Sequence, residues 1–475
     1  MPTLPPAAPS YLLDGFASIT PAAQADLLAQ IGSVDWPEVE RLVRSHVLAK
    51  PAFEAPGEMQ PPPWFPALPT DAKLLAHYAV ARAEGERLLR AGKVAAFTVA
   101  GGQGSRLGWD APKGTFPATP IRKASLFQCF AEYLQKAAQK YGRPVPWYIL
   151  TSTVNDAATR AFFDQNGYFG LDKADVVFFT QAMMPAFDML TGRVLMESPG
   201  QIALSPNGHG GSLKAMWASG AIADMKKRGV EQISYVQVDN PLLKLADPLF
   251  IGLHALAGAE MSSKALAKAH PKEKVGLLCL ANGKMQVIEY SNLPDALAEE
   301  RAADGSLRFK AGSIAMHMLR VDFVEGLNTA AGGFSLPWNR AEKKVAYFDF
   351  AAQKEVKPEK TNAVKLETFV FDALPFCKTS IILEVDRDEE FGPIKNADAP
   401  AGAPVMADSP ASATLMQTFR AARWLEAAGV SIPRKADGGV DAVIELPQTV
   451  AIEPGDLAGR PLPKAIAPGA RVLVG

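Results

Sequence analysis

The chain has 475 residues, 48% of them hydrophobic, which is enough for two or three domains with sizeable cores. Its 49 Lys and Arg against 50 Asp and Glu leave a net charge of −1, which speaks against nucleic acid or a membrane surface as partner. Any anionic substrate must be met by a few placed cations. Cys129, Cys279 and Cys377 are far apart and odd in number, which argues against a disulfide framework and against a zinc site. No stretch approaches the length of a membrane span. The start, Met1 to Pro6, has neither the basic residues nor the apolar core of a signal peptide. A soluble, cytoplasmic protein is expected.

Residues Ala22 to about Leu48 read as two short amphipathic helices, with Leu27, Leu28 and Ile31 on one stripe and Val39, Leu42, Val43 and Val47 on the next. A proline-rich link, Pro51 to Pro69, leads to a third helix over about Asp71–Ala91. Residues 1–92 are therefore expected to form a helical N-terminal domain. From Val94 strands and helices alternate: strands at Val94–Ala100, Trp147–Thr151, Asp175–Thr180 and Gln232–Val238, helices at Ser125–Tyr141, Asp156–Asn166 and Ser212–Arg228. That alternation predicts an α/β fold with a Rossmann-like, mixed but mostly parallel sheet. Beyond Met261, strand-like runs at Lys274–Leu280, Lys284–Tyr290 and Leu307–Ile314, with Asn282-Gly283 as a hairpin turn, predict an antiparallel extension. Val364–Phe371 reads as helical and Ser380–Val385 as a strand. The boundaries expected are a catalytic domain at 93–398 and a small C-terminal domain at 399–475.

In open α/β sheets ligands bind beyond the carboxyl ends of the strands, so chemistry is sought in the loops there. The first is Ala100-Gly101-Gly102-Gln-Gly104-Ser-Arg106-Leu-Gly108, followed by Pro112-Lys113-Gly114. A buried strand, a glycine turn whose amides can close on an anion, and two cations make a cradle for a nucleoside triphosphate. It is not a P-loop, because no Gly-Lys-Ser/Thr closes it. It is not the dinucleotide fingerprint, because Leu107 holds the place of the third glycine. The competing reading is an ordinary strand-to-helix turn with solvated charges. A second glycine loop, Ser205-Pro-Asn207-Gly208-His209-Gly210-Gly211, also permits close approach of backbone to ligand. Asp239, ending a strand beside the first loop, stands where Mg²⁺ ligands are usual; the alternative is a turn-forming Asp. Glu289-Tyr290-Ser291 could meet sugar hydroxyls and a ring face, or be a plain strand end.

Taken in order, these motifs and Phe179-Thr-Gln181-Ala-Met-Met-Pro, Val238-Asp-Asn-Pro-Leu-Leu-Lys-Leu-Ala-Asp-Pro, Gln286-Val-Ile-Glu-Tyr-Ser, Lys365-Leu-Glu-Thr-Phe-Val-Phe-Asp and Lys395-Asn-Ala-Asp form a larger pattern. The chain resembles the eukaryotic-type UDP-sugar pyrophosphorylases, most closely those for UDP-N-acetylglucosamine, over about residues 20–460. The resemblance implies UTP and a hexose 1-phosphate as substrates, UDP-sugar and pyrophosphate as products, and Mg²⁺ as cofactor. It implies that Ala100, Gly101 and Gly102 line the UTP and that Lys113 holds its phosphates. Arg106 would lie against the departing pyrophosphate, and Gln181 and Gly208 would contact the uracil. Asp239 would sit at the metal or phosphate position, Glu289 and Tyr290 would bind the sugar, and Lys365 and Lys395 would hold phosphate groups. Arg106, Lys113 and Lys395 are thus the catalytic candidates.

Two positions depart from the family pattern. His209 replaces the usual Asn of the second glycine loop, and Ser313 replaces the Asn of an Ala-Gly-Asn turn. Both fall on the sugar-binding side, so a glucose 1-phosphate or broad-specificity enzyme is the first alternative. An inactive UDP-sugar-binding homologue is the second, opposed by retention of Arg106, Lys113, Asp239 and Lys395. A dinucleotide oxidoreductase is a weaker rival.

Overall fold

A computed structural model describes residues 2–50, 57–331 and 336–475; the start of the proline-rich link, 51–56, lies outside the described residues. The chain divides into two compact units. The larger comprises Pro56–Phe179, Met216–Gly332 and Leu374–Gly475; the smaller comprises Met1–Ala55, Thr180–Ala215 and Gly333–Ala373.

The larger unit is organised by a mixed, ten-stranded sheet. Its nucleotide half runs Gln232–Gln237, Val94–Val99, Trp147–Thr151, Val176–Thr180, and Val94–Val99 is parallel to both of its neighbours. Five of the six residues of Val94–Val99 are buried. A strand covered by helices on both faces needs such a run, without polar alternation. The helices Ala72–Arg90 and Leu126–Tyr141 share one core with it, through Tyr78, Leu88, Phe127, Phe130 and Leu134. After Val94–Val99 the chain moves outward through the next two strands, then returns to the opposite side with Gln232–Gln237. The crevice between these two strands is therefore a topological switch point.

The other half is antiparallel. Ala311–Arg320 pairs with Gln232–Gln237, Met261–Ala267 and Gly276–Ala281, and Gly276–Ala281 pairs with Lys284–Ile288. Asn282 and Gly283 carry φ of +49° and +74°, and Ala281 pairs with Lys284. Positive φ at both loop residues is the hairpin geometry that Asn-Gly favours. The predicted strand Leu307–Ile314 is shifted: it starts at Ala311 and extends to Arg320. The Asp304-Gly305 turn keeps residues 302–306 in a local loop closed by Ala302 N–H to Ser306 C=O. The predicted helix Ser212–Arg228 is two, Gly211–Ala218 and Ala221–Lys227, separated at Gly220 with φ of +82°.

Two features rigidify this unit. Helices Ala72–Arg90 and Pro248–Leu256 cross so closely that a Cβ on Gly252 would lie 1.6 Å from the Ala81 carbonyl oxygen, and one on Gly85 would lie 1.8 Å from that of Pro248. Gly252→Ala must push the helices apart and is expected to cost about 1–3 kcal/mol, read as a lower urea midpoint with unchanged slope; an unchanged midpoint would refute the crossing. The second feature is a buried ionic cluster. Lys264 Nζ donates to Asp247 Oδ2 at 2.7 Å and to Glu390 Oε2 at 2.5 Å, while Lys244 reaches Glu390 Oε1 at 3.0 Å. Burial alone would raise the Asp247 carboxyl, but Lys264 and Lys244 overcome it and hold it well below the usual carboxylate range.

The C-terminal stretch belongs to the same unit. Pro410–Ala427 is a helix opened by a Ser409/Ser412 capping box, and Ala442–Glu445 pairs in parallel with Ala470–Leu473 over a small core of Trp424, Leu425, Ile444 and Leu457. Arg122 ties this part to helix Leu126–Tyr141 by bonding Glu445 at 2.6 Å and Glu132 at 2.7 Å. Cys129 and Cys279 are buried, Cys377 is half-buried, and among the described residues none is in a disulfide.

In the smaller unit, helices Pro21–Gly32 and Trp36–Leu42 pack Leu27, Ile31, Trp36 and Leu42 against Phe187, Ile202, Val364 and Leu366. The predicted helix over Val364–Phe371 is instead a strand, Ala363–Glu367, followed by a 3-10 turn, Val370–Phe376. Alternation explains the correction: Val364 and Leu366 are fully buried, whereas Lys365 and Glu367 are half-exposed, the period of a strand with one covered face. It pairs with Asn339–Lys343 on one side and Phe187–Asp188 on the other. Among the described residues no helix is long and apolar enough to cross a membrane.

Candidate active site

Both loops at the switch point are anchored by hydrogen bonds that follow from their sequences. The glycine loop folds back on itself: Lys113 N–H donates to Gly102 C=O at 3.1 Å, and Gly104 N–H to Ala111 C=O at 3.0 Å. This short ladder carries Lys113 back to the carboxyl end of Val94–Val99. Behind the loop, after strand Trp147–Thr151, Ser152 and Asn155 are buried. Ser152 Oγ donates to Gly101 C=O at 2.9 Å, and Asn155 Nδ2 donates to Ala100 C=O at 2.9 Å and Gly102 C=O at 3.2 Å. Gly102 is exposed, Ala100 and Gly101 are buried, and Arg106 is exposed on the turn Ser105–Leu107.

Asp239 follows strand Gln232–Gln237 on the other side of the crevice. Lys113 Nζ and Asp239 Oδ2 are 3.4 Å apart, with 18% and 14% of their side chains exposed. The pair is thus partly desolvated but still open to a ligand. The main chain of Asp239 accepts Ile394 N–H at 2.8 Å. Buried Asn240 fixes the same junction, donating to Glu390 C=O at 2.6 Å and accepting Gly392 N–H at 3.2 Å. Lys395 is thereby held next to Asp239 in the backbone. Its N–H bonds Asp408 C=O at 2.7 Å, and its ammonium lies 5.8 Å from the Phe391 ring centre. Asp408 has φ of +56° and is half-buried. Burial raises its carboxyl, Lys395 opposes that, and Asp239 adds to it. The structure therefore brings Lys113, Asp239 and Lys395 into one electrostatic cluster, with Asp408 as a fourth member.

Glu289 and Ser313 meet on the antiparallel extension. Gly276 is directly paired with Ser313, and a Cβ on Gly276 would lie 3.6 Å from Glu289 Oε1. Tyr290 follows, 46% exposed. A carboxylate and a hydroxyl flanking Gly276, with an exposed ring next in the chain, suit a polyhydroxylated ligand.

Gln181, Gly208, His209 and Lys365 belong to the smaller unit. Gln181 is buried, and its Oε1 has no protein donor among the described residues. Gly208 has φ of +83°, and a Cβ there would lie 2.3 Å from the Thr368 carbonyl oxygen, so only glycine fits. Thr368 N–H bonds Asn207 C=O at 2.9 Å and Gly210 N–H bonds Thr368 C=O at 2.8 Å, which locks the second glycine loop to the segment after Ala363–Glu367. His209 stacks on Phe369 at 5.3 Å, and its Nδ1 accepts Val370 N–H at 3.1 Å. Burial pulls its pKa down to about 4, so the ring is neutral near pH 7 and serves as an acceptor. Lys365 is half-buried, and desolvation lowers its pKa against the pull of Glu367 and Glu197.

Ser152, Asn155, Asn240 and Asp408 were not among the sequence candidates. Ser152 and Asn155 follow a strand's carboxyl end and were open to notice there. Asp408-Ser409-Pro410 reads first as a helix start, which hides the other role of the Asp.

A switch-point crevice with a glycine loop on one side and, on the other, an aspartate paired with Lys113 marks a nucleotide-handling α/β protein. The family model described as UTP–glucose-1-phosphate uridylyltransferase matches residues 67–414, and the chain belongs to that family of nucleotidyltransferases. It is 37% identical over 452 residues to human UDP-N-acetylhexosamine pyrophosphorylase-like protein 1, covering 89% of this chain and 86% of that one. It is 38% identical over 347 residues to UDP-N-acetylglucosamine pyrophosphorylase of Saccharomyces cerevisiae, covering 72% and 71%. Among solved structures, the uridine diphosphate N-acetylglucosamine pyrophosphorylase of Trypanosoma brucei superposes with a TM-score of 0.80 at 27% identity, over 97% of this chain and 96% of that one. A UDP-glucose pyrophosphorylase of Leishmania major shares the fold, with a TM-score of 0.59 at 15% identity over 95% and 86%.

Proposed function

We propose that the protein transfers the uridylyl group of UTP to N-acetylglucosamine 1-phosphate, releasing pyrophosphate. The observation that carries the reading is the Lys113–Asp239 pair, 3.4 Å apart at the switch point beside the glycine loop. An oxygen of the sugar phosphate attacks the α-phosphorus, the bond to the β-phosphate oxygen breaks, and its electron pair leaves with pyrophosphate. The attacking oxygen is already anionic, so no general base is required; catalysis rests on positioning and charge neutralisation. Lys113 and exposed Arg106 neutralise the departing pyrophosphate, while Lys395 and Lys365 offset repulsion between the phosphates. Gln181 offers its buried Oε1 to the uracil beside Gly208. Glu289, Tyr290 and Ser313 form a sugar-facing set in the larger unit, and in the smaller unit His209 holds the second glycine loop.

Mg²⁺ fits the donors present. Among the described residues no group of three or more His, Cys, Asp or Glu could cage a metal. Mg²⁺ in nucleotide sites takes one or two carboxylates and completes its shell with phosphates and water. Asp239 is the ligand we assign, and the ion, when bound, neutralises phosphate charge. With no disulfide among the described residues, we place the protein in a reducing compartment, the cytoplasm.

The choice of N-acetylglucosamine is supported by the relative named for that sugar at 38% identity and by the N-acetylhexosamine-type relative at 37%. Ser313 favours a second reading, glucose 1-phosphate, because a short hydroxyl replaces the family's amide there. Pyrophosphate release from UTP with N-acetylglucosamine, N-acetylgalactosamine, glucose and galactose 1-phosphates separates the two. Highest kcat/KM for the first is expected. Preference for glucose 1-phosphate would install the second reading, and no release with any sugar would leave a UDP-sugar-binding protein.

A further inference from the structure

Three consecutive carbonyl groups of the glycine loop, those of Ala100, Gly101 and Gly102, are all received by two side chains from the next strand–helix junction. Ser152 takes the middle one and Asn155 the outer two. Asn155 is itself oriented, because its Oδ1 accepts Ser152 N–H at 2.9 Å and Ser152 Oγ at 3.1 Å. Both clamping residues are buried, with Ser152 1% and Asn155 0% exposed. Both donors of the Asn155 amide are used, and the single Ser152 hydroxyl proton is shared between Gly101 C=O and Asn155 Oδ1.

In a trans peptide the carbonyl of one residue and the N–H of the next point in opposite directions. Holding the carbonyls of Ala100, Gly101 and Gly102 against Asn155 and Ser152 therefore turns the N–H groups of Gly101, Gly102 and Gln103 the other way. Among the described residues none of these three amides donates to a protein acceptor. A row of outward N–H groups is an anion-binding concavity. Glycine-rich backbone would not keep that arrangement unaided, since glycine has the largest conformational freedom to lose.

We propose that Asn155 and Ser152 are positioning residues that set the glycine loop in its anion-binding conformation, so that the triphosphate meets preorganised amides. The inference rests on the UTP reading above and deepens it. The clamp touches only main-chain carbonyls and not the nucleotide. Its effect is accordingly specific to the triphosphate and indifferent to the base.

The experiment compares equilibrium binding of UTP and of uridine, with steady-state kinetics, in wild type, Ser152→Ala and Asn155→Ala. Ser152→Ala removes one of the loop bonds and is the milder change should Asn155→Ala fold poorly. Each variant is expected to weaken UTP by about 10- to 100-fold, the scale of a misplaced binding group, with uridine affinity and the KM for the sugar phosphate within about twofold of wild type. Asn155→Asp, which keeps the acceptor oxygen but loses the amide donor, is expected to behave like Asn155→Ala. UTP and uridine weakened alike, or UTP unaffected in Ser152→Ala, would overturn the proposal. Wild type that binds UTP no better than uridine would instead overturn the UTP reading itself.

Discussion

Lys113→Ala is expected to lower turnover by about 10²- to 10³-fold, the scale for removing one group that stabilises developing charge, while thermal unfolding and circular dichroism stay near wild type. Lys113 is presented by a two-bond ladder and faces the carboxylate of Asp239 at 3.4 Å. The turn is held by backbone bonds and does not need the ammonium. In the ground state the lysine shares its charge with Asp239; as the α–β bond breaks, negative charge moves onto pyrophosphate and the ammonium gains a stronger partner. That difference between ground and transition state is what raises kcat. Pyrophosphate release at saturating substrates is the measurement. Near-normal turnover would remove Lys113 from the mechanism and leave Arg106 as the leaving-group cation.

Lys264→Ala is expected to lower unfolding free energy by about 3–5 kcal/mol, because removing one partner of a buried ion cluster strands the others. Lys264 is 1% exposed, and without it Asp247 and Glu390 lose the cation that bonds both of them, leaving Lys244 on Glu390 and the weaker pull of Arg82 on Asp247. Urea denaturation checks the size. Its pH dependence checks the cause. Asp247 has a depressed folded-state pKa, so its contribution is present above the unfolded carboxylate value and lost as pH falls through the folded one. In Lys264→Ala that acid-side loss should shrink. A change below about 1 kcal/mol would mean that the cluster relaxes into solvent.

The strands around the site were legible where their chemistry was local. Val94–Val99 reads as a doubly covered strand from its unbroken apolar run, and Asn282-Gly283 declares its turn. Lys113 and Asp239 stood out because cations and carboxylates at strand ends have few structural excuses, and the fold sets them 3.4 Å apart. Ala363–Glu367 was misread because Val364, Leu366 and Val370 suit a helical stripe as well as an alternating strand over so short a window. Pairing with Phe187–Asp188 and Asn339–Lys343 decided it, and pairing is not written locally. Asn155 escaped for a related reason. Its work is done on the backbone of residues 100–102, and nothing in Val-Asn-Asp itself says which carbonyls it will receive. His209 drew notice through its place in the family pattern; what its residue type alone did not reveal is that it stacks on Phe369 and accepts Val370 N–H, bracing the second glycine loop.

The smaller unit is drawn from three separated stretches of chain. Asp188 must find Ala363, and the hydroxyl of Tyr11 must find Val194 N–H. On a ribosome that emits the chain from its amino end, the helices carrying Leu27 and Trp36 emerge long before Val364 and Leu366, the residues that close their core. Their apolar faces must wait, so this unit completes its fold late and slowly, as non-local pairings do. A nascent chain stalled before residue 363 would expose that unfinished core to chaperones and to aggregation, whatever the state of the nucleotide-binding sheet.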